Sequence, residues 1–427
     1  MYNAYILTLK DVRPHSNADK LNVAKVFGQN VIVGKDMNIG DTVVYFPSDG
    51  QLNKEFAEYC NLLRKKDSLG NNIGGYMDPE KRNIKAIKLR GEYSDGLIVP
   101  IDKLTDFLNV KLTDIHKEEV TQFNVLNGVQ ICNKYIPKTK SANVQTSGKH
   151  VKKEIKFPLF HEHIDTKQLA YNYGELMDGD RLTITLKIHG TSARTSNTKL
   201  IEKQGLFKRI INAIKNKYSE YRTVSGTRRV VLDDFDGGYY GSNEFRKKYH
   251  DLFDGKLYKG ETVYYEIVGY IENGTTIMPQ ANNKKINDKD FVKKYGETTS
   301  FTYGCSDGES DIYVYRMSMT NEDGVEIDYS TEYTMLRCEQ MGVKHVPVIK
   351  TIDNFSINDI DEFRNYINEI SDGADLIDPT HIREGVVVRV ENRLNFTAYK
   401  NKGIAFKILE GIIKENAEIA DIEELGG

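Results

Sequence analysis

The sequence predicts an α+β chain: a small antiparallel β-barrel, then a larger domain of antiparallel sheets with flanking helices. Three observations lead there. The chain has 427 residues, and roughly 100–200 residues per domain gives two or three domains. Its first hundred residues are short strand-like runs separated by glycines. From about residue 157 strand-like and helix-like runs mix, without the 20–50-residue repeat of a solenoid or propeller.

The barrel rests on AYILTLKDV, DKLNVAKVF, QNVIVGK, DTVVYFPSDG and KLRGEYSDGLIVPI, punctuated by Gly28, Gly34, Gly40, Gly50, Gly91 and Gly96. Residues 51–66 (QLNKEFAEYCNLLRKK) read as a helix, with basic residues gathered at its end. The expected boundaries are 1–125 for the barrel module, 126–156 for a basic linker, 157–410 for the larger domain and 411–427 for an acidic helical tail. Residues 134–156 hold seven lysines and one acidic residue, suiting a solvated linker or a phosphate-contacting strap. In the larger domain the strands are RLTITLKIHG, GETVYYEIVGYI, DIYVYRMSM, HVPVI and EGVVVRVEN. The helices are FKRIINAIKNKYSEYR, STEYTMLRCEQMG and INDIDEFRNYINEIS.

Composition narrows the function. With 59 Lys plus Arg against 62 Asp plus Glu, the formal charge is −3; nucleic-acid binding would therefore use local basic patches. No run approaches the roughly 20 apolar residues of a membrane helix, so no membrane partner is expected. The amino terminus lacks a secretion-signal layout. Cys60, Cys132, Cys305 and Cys338 form no CxxC pair, and a reduced cytoplasm is the natural setting. Nothing demands more than a monomer.

Polar residues then fall on strand ends in a fixed order. Lys187-Ile188-His189-Gly190-Thr191-Ser192 closes the first strand, and Glu266 lies inside an apolar strand. Tyr313 and Tyr315 share one face of another strand, and Glu384-Gly385 precedes a buried-looking strand. Lys400 and Lys402 are two apart, hence on one face if extended. Any one of these motifs is weak; five in order are strong.

The chemistry that fits is nucleotidyl transfer onto a lysine. An amine with a pKa near 10.4 becomes nucleophilic when burial and neighbouring cations lower it. Two lysines could neutralise charge at an α-phosphate. Glu266 and Glu384 could hold a hydrated magnesium or manganese ion, or bond a ribose hydroxyl. Tyr315 could stack on a purine. His161 and His163 have the i, i+2 spacing a metal could use, but no third ligand is evident. The basic segment around Lys208, Arg209, Lys215 and Lys217 suits phosphate contact and a solvated helix face equally.

Two family resemblances attach to these residues. His15, Asn17, Ala18, Asp19, Lys20 and Leu21, with Arg90, Gly91, Ser94 and Gly96, resemble the OB-fold modules of tRNA-binding type; His15 and Asp19 equally suit plain barrel turns. Residues 160–410 resemble the covalent nucleotidyltransferases, the superfamily of ATP-dependent ligases and mRNA capping enzymes. KIHGTS looks like the RNA ligase version of the lysine motif, and the leading OB module looks like the family 5-type RNA ligases. About 25 residues follow Lys402, leaving no room for the C-terminal OB domain that DNA ligases and capping enzymes add.

The resemblance implies an OB-like β-barrel followed by an adenylyltransferase (ATP-grasp-like ligase) domain. It implies ATP with Mg2+ or Mn2+ as cofactors, and RNA with 3′-OH and 5′-phosphate ends, nicked duplex or folded, as partner. Lys187 would be the adenylated nucleophile, within a motif that includes His189 and Gly190. Glu266 and Glu384 would serve catalysis and metal, Tyr315 the adenine face, and Lys400 with Lys402 the phosphates. Arg228 would engage phosphate, with Arg222 and Arg229 as nearby candidates, and Thr166 and Gln168 would meet the adenine edge. The rival functions are a non-catalytic RNA- or nucleotide-binding protein and a DNA nick ligase.

Overall fold

The computed structural model describes residues 2–66, 68, 72–117, 119–135, 157–200, 221–232, 235, 243–286 and 288–413. In the first module, Leu97–Pro100, Thr42–Phe46, Ala4–Thr8 and Val120–Phe123 form an antiparallel sheet in that order. Both faces of this sheet are covered. Ile6, Val44, Phe46 and Val99 pack with Phe56, Leu104 and Leu108 on one side. Tyr5, Leu7, Val43, Tyr45 and Ile98 pack on Ala24, Val31 and Val33 on the other. Covering on two sides explains why these strands read as nearly continuous apolar runs.

The motif residues of this module build turns. Arg90 and Gly91, with φ of 49° and 96°, form the two-residue turn between Ala86–Leu89 and Glu92–Asp95, where both positions need a positive φ. The Ser94 hydroxyl accepts the Ile32 N–H at 2.9 Å. His15 Nδ1 accepts the Asn17 N–H at 3.0 Å while Nε2 faces the Leu89 carbonyl at 3.1 Å, which fits a neutral ring protonated on Nε2.

Two expectations change here. The helix expected over 51–66 spans only Lys54–Tyr59. Residues Gly50–Leu52 instead pair with Cys132–Lys134, and Asn61 at φ 55° turns the chain out of the helix. That same pairing carries the first module past residue 126, where the linker was expected: Ile131 and Cys132 are buried in its core. The Lys-rich stretch 136–156, the basic segment 201–220 and the tail from 414 lie outside the described residues.

The described residues of the larger domain form two main sheets, beside a small ribbon of Ala281–Asn282 with Thr298–Thr299. One runs Lys167–Gln168, Thr397–Lys402, Gly385–Val390, Leu182–Lys187, Val348–Ile352. The other runs Tyr221–Gly226, Thr191–Lys199, Glu261–Gly269, Ser310–Thr320, Glu326–Asp328, with Lys344–His345 beside Ser310–Thr320. The helix Thr331–Met341 is capped by Ser330, whose side chain accepts the Tyr333 N–H, and closes at Gly342 with φ 72°. Ile360–Ser371 packs Phe363 and Ile367 on the first sheet.

The chain crosses between the sheets at two adjacent places. Residues 188–190 lead from Leu182–Lys187 into Thr191–Lys199, and Val346 with Pro347 links Lys344–His345 to Val348–Ile352. The Leu186 N–H donates to Pro347 O and the Val346 N–H to Val314 O, each at 2.9 Å. The lysine motif thus forms part of a spine joining the sheets. At Gly190 a Cβ would stand 2.6 Å from Ile267 O, so a larger residue would push the crossing away from the strand Glu261–Gly269.

Candidate active site

The cleft between the sheets encloses about 720 Å³, open to solvent, and is lined in part by Lys187, Glu266, Tyr315, Arg228 and Thr166. Lys187 ends its strand, with its side chain 10% exposed, and its Nζ stands 2.9 Å from Glu384 Oε1. Glu384 is fully buried, and Lys402 Nζ lies 3.3 Å from that same oxygen. One carboxylate therefore sits between two ammonium groups. Antiparallel register explains this: Lys187 pairs with Gly385, and Gly385 with Lys402. Gly385 is required at the junction because a Cβ there would stand 2.1 Å from Asn401 O. Removing one partner of such a buried pair typically costs about 3–5 kcal/mol.

His189 faces away from the cleft. Its ring is held edge-on by Phe301 at 4.7 Å and Phe406 at 4.8 Å between centroids, and its Nδ1 lies 3.7 Å from Glu384 Oε2. Its backbone N–H donates to the Tyr303 hydroxyl at 2.6 Å. His189 therefore fixes the turn after the lysine and closes the far side of Glu384.

From the opposite sheet, Glu266 pairs with Ser192 across one register and Tyr313 across the other. Tyr315 lines the cleft and its hydroxyl shares a hydrogen bond with Ser192 Oγ at 3.1 Å. Burial, then the nearby Glu266, hold this phenol well above its ordinary pKa, so it stays protonated. Tyr313, expected on the same face, instead packs near Tyr303 at 6.2 Å with Lys344 over its ring. The register shifts between Tyr264 and Tyr265, which pair with Arg316 and Val314, so Tyr315 is the extra residue of a bulge. Such bulges re-aim side chains.

Arg228 reaches the cleft and pairs with Asp165 at 3.3 Å, whereas Arg222 is exposed and Arg229 is half-exposed. Gln168 lies at the sheet edge opposite Lys400, outside the residues that line the cleft, because the short strand that carries it pairs with Thr397–Lys402. Lys400 shares its strand face with Ala398, which lines the cleft, and with Lys402.

The cleft also contains residues that the motif order did not mark: Val387, Arg389, Phe396, Thr185 and Thr331. Val387 and Tyr315 belong to opposite walls. Alternation from Gly385 would have marked Val387 and Arg389; nothing local marks Phe396 or Thr331. His163, weighed above only as a metal ligand, lies edge-on to Tyr315 at 5.2 Å. Among the described residues no group of three or more His, Cys, Asp or Glu side chains could hold a metal ion. Of the two carboxylates expected at a metal, Glu266 lines the cleft, whereas Glu384 lies outside its lining, against Lys187 and Lys402.

The chain is an N-terminal β-barrel module joined to a larger domain whose two main antiparallel sheets flank a cleft. A family model described as an OB-fold domain matches residues 4–101. The whole chain is similar in fold to an RNA ligase of Naegleria gruberi. A lysine variant of that ligase bound to AMP and manganese superposes with a TM-score of 0.55 at 15% identity, covering 95% of this chain and 97% of that one. The ligase with pyrophosphate gives 0.54 at 15% identity, covering 94% and 97%. An apo variant gives 0.56 at 15% identity, covering 95% and 97%. No curated protein sequence matches the chain. No helix among the described residues is long and apolar enough to cross a membrane.

Proposed function

We propose that the protein is an ATP-dependent RNA ligase that seals a 3′-hydroxyl to a 5′-phosphate. The observation that carries this reading is Lys187 at 2.9 Å from a buried glutamate shared with Lys402, at one end of a cleft lined by Tyr315, Glu266 and Arg228. The solved structures of similar fold are RNA ligases with ATP, AMP or pyrophosphate, which supports the substrate class.

In the first step, the Lys187 amine, having lost a proton, attacks the α-phosphate of ATP. An N–P bond forms, the bridging P–O bond breaks, and pyrophosphate leaves. Lys402 and Lys400 offset charge on the α-phosphate as it develops. Arg228 engages phosphate, Tyr315 and Val387 hold the base between them, and Thr166 meets its edge. Glu266 and Glu384 would hold Mg2+ or Mn2+, which neutralises phosphate charge when bound. In the second step, AMP passes to the RNA 5′-phosphate, forming a pyrophosphate bond and freeing Lys187. The RNA 3′-hydroxyl then attacks that activated phosphate and expels AMP. The OB-fold module and the Lys-rich linker grip the RNA backbone without reading sequence, so binding falls steeply with salt.

Incubation with α-phosphate-labelled ATP and magnesium or manganese, followed by denaturing electrophoresis, tests this. The expected result is an acid-labile label on the wild type that is absent from folded Lys187→Ala. No label on folded protein free of prior adenylate would overturn the reading in favour of a nucleotide- and RNA-binding protein. Sealing of a nick with a DNA 3′-OH strand as fast as with RNA would point to a DNA ligase.

A further inference from the structure

The hairpin between Leu21–Val26 and Gln29–Gly34 turns at Phe27 and Gly28, with φ of 50° and 75°. Its tip is docked on the larger domain. Phe27 lies edge-on to Tyr171 at 6.4 Å between centroids. Gly28 and Gln29 both meet Asn368 of the helix Ile360–Ser371. Asn368 Nδ2 donates to Gly28 O and its Oδ1 accepts from Gln29 Nε2, each at 2.8 Å. A Cβ at Gly28 would stand 2.8 Å from that Nδ2, so the approach needs glycine for its space as well as its φ.

The same Asn368 Oδ1 accepts from Asn401 Nδ2 at 3.3 Å, and Asn401 Nδ2 also donates to Ser371 Oγ at 2.8 Å. Ser371 Oγ donates in turn to Ile367 O at 2.6 Å. Asn401 is 2% exposed and lies between Lys400 and Lys402. Alternation along Thr397–Lys402 turns the Asn401 side chain to the helix and those of the two lysines to the other face of the sheet. Next in the chain, Gly403 donates its N–H to Glu384 O at 2.9 Å, and a Cβ there would stand 2.5 Å from Ser371 O. The lysine strand therefore ends between Glu384 and this helix, and the Asn401 amide fastens it there.

We propose that Asn368 is a positioning residue: it ties the docked hairpin tip of the first module to Asn401, and so sets where Lys400 and Lys402 stand. This rests on the reading of those lysines as the phosphate-facing pair. The relay consists of neutral amides and a hydroxyl, so its effect is geometric. Truncation at Asn368 leaves the buried Gln29 and Asn401 amides with one hydrogen bond fewer each. The modules stay docked, because Lys25–Asn365 at 2.9 Å, Lys407–Asp95 at 2.5 Å and Lys88–Asp288 also join them. A displacement of about 1 Å that starts far from the chemistry can cost about a hundredfold in rate.

The test reads the strand and the reaction separately, in the full chain. In hydrogen exchange without nucleotide, peptides covering Thr397–Lys402 are expected to exchange about fivefold faster in Asn368→Ala than in wild type. In adenylation with α-phosphate-labelled ATP, Asn368→Ala is expected to lower the rate at saturating ATP about tenfold. The KM for ATP should stay within about twofold of wild type, because the lysines act on charge that develops in the transition state. Gln29→Ala, which cuts only the module side, should move both readouts the same way by less and add nothing in the Asn368→Ala background. Lys25→Ala, which loosens docking without touching Asn368, should leave both at wild type. Unchanged exchange at Thr397–Lys402, or an unchanged rate at saturating ATP, overturns the inference, and so does an equal effect of Lys25→Ala. If Asn368→Ala does not fold, Gln29→Ala decides by the same two readouts. Wild type that forms no adenylate sinks the ligase reading instead, and the exchange comparison still decides whether the relay holds the strand.

Discussion

The two modules place their charges in opposite ways. Among the described residues of the OB-fold module, ion pairs such as Lys10–Glu119 and Arg13–Glu92 lie at or near the surface, its buried Asp95 pairs outward with Lys407 of the larger domain, and polar motif residues serve turns. In the larger domain charge is taken inside: Lys187 with Glu384, Lys402 with Glu410, and Arg337 with Glu261 at 2.7 Å. Burial of charge is costly and gives weak net stability, so its concentration calls for a reason. The Arg337–Glu261 pair lies outside the cleft and holds a helix to a strand; the Lys187–Glu384 pair lies at the cleft and is shared with a third charge. In the proposed reading, position at the cleft separates the reactive pair from the structural one, since Arg316 is likewise buried and shared between Glu326 and Asp328 outside the cleft lining.

The largest expected effect tests that distinction. Glu384→Ala should reduce adenylation at least a hundredfold, measured by label incorporation, because the carboxylate that places both Lys187 and Lys402 is lost. Glu261→Ala should cost a similar 3–5 kcal/mol in denaturant unfolding, yet the protein that remains folded should label normally. Equal loss of label per folded molecule in both variants would erase the contrast.

A smaller effect is expected at Tyr315. Replacement by Ala should raise KM for ATP about tenfold, in line with roughly 1–3 kcal/mol for a base stacked on an aromatic ring. Tyr315→Phe keeps the stack and loses only the Ser192 hydrogen bond, so its KM should stay within about threefold of wild type. Equal effects of the two would assign the role to the hydroxyl.

The smallest effects concern acid, and two sites, one in each module, should respond with opposite signs. The Arg13 guanidinium holds the Glu92 carboxyl down to about 2, from 4.5. Its contribution is therefore present above about pH 4.5 and lost as pH falls toward 2. Burial instead raises the carboxyls of Asp372 and Asp375, so protonation favours the folded form around them as pH falls through their raised values. Domain-resolved hydrogen exchange should show the Glu92 turn opening in acid before the Asp372 region, and Glu92→Gln should remove the pH dependence of that turn.

Much of this was legible in the sequence because it depends on order and alternation. The strand ends of Lys187 and Glu384 follow from where apolar runs stop, Glu266 interrupts one such run, and pairing of Gly385 with both Lys187 and Lys402 gathers Lys187, Glu384 and Lys402. What was illegible depends on register breaks and distant packing. Strict alternation cannot separate Tyr313 from Tyr315, since the bulge opposite Tyr264 and Tyr265 arises from pairing across strands. Gln168 lies near the motif in sequence but is drawn to the sheet edge by a two-residue strand. Phe396 enters the cleft from a hairpin end, stacked beside Arg316 at 4.6 Å and Arg389 at 5.4 Å, a contact no local pattern announces.

The spine between the sheets has a mechanical meaning. When two plates rock about a common edge, a point on that edge moves least and points far from it sweep the widest arc. Lys187 sits at the edge, where residues 188–190 cross beside Val346 and Pro347, while the side chains at the cleft mouth lie out along the plates. Any breathing of the cleft would thus spend its displacement at the rim, and Lys187, the nucleophile of the proposed reaction, would be the fixed point from which the geometry is measured.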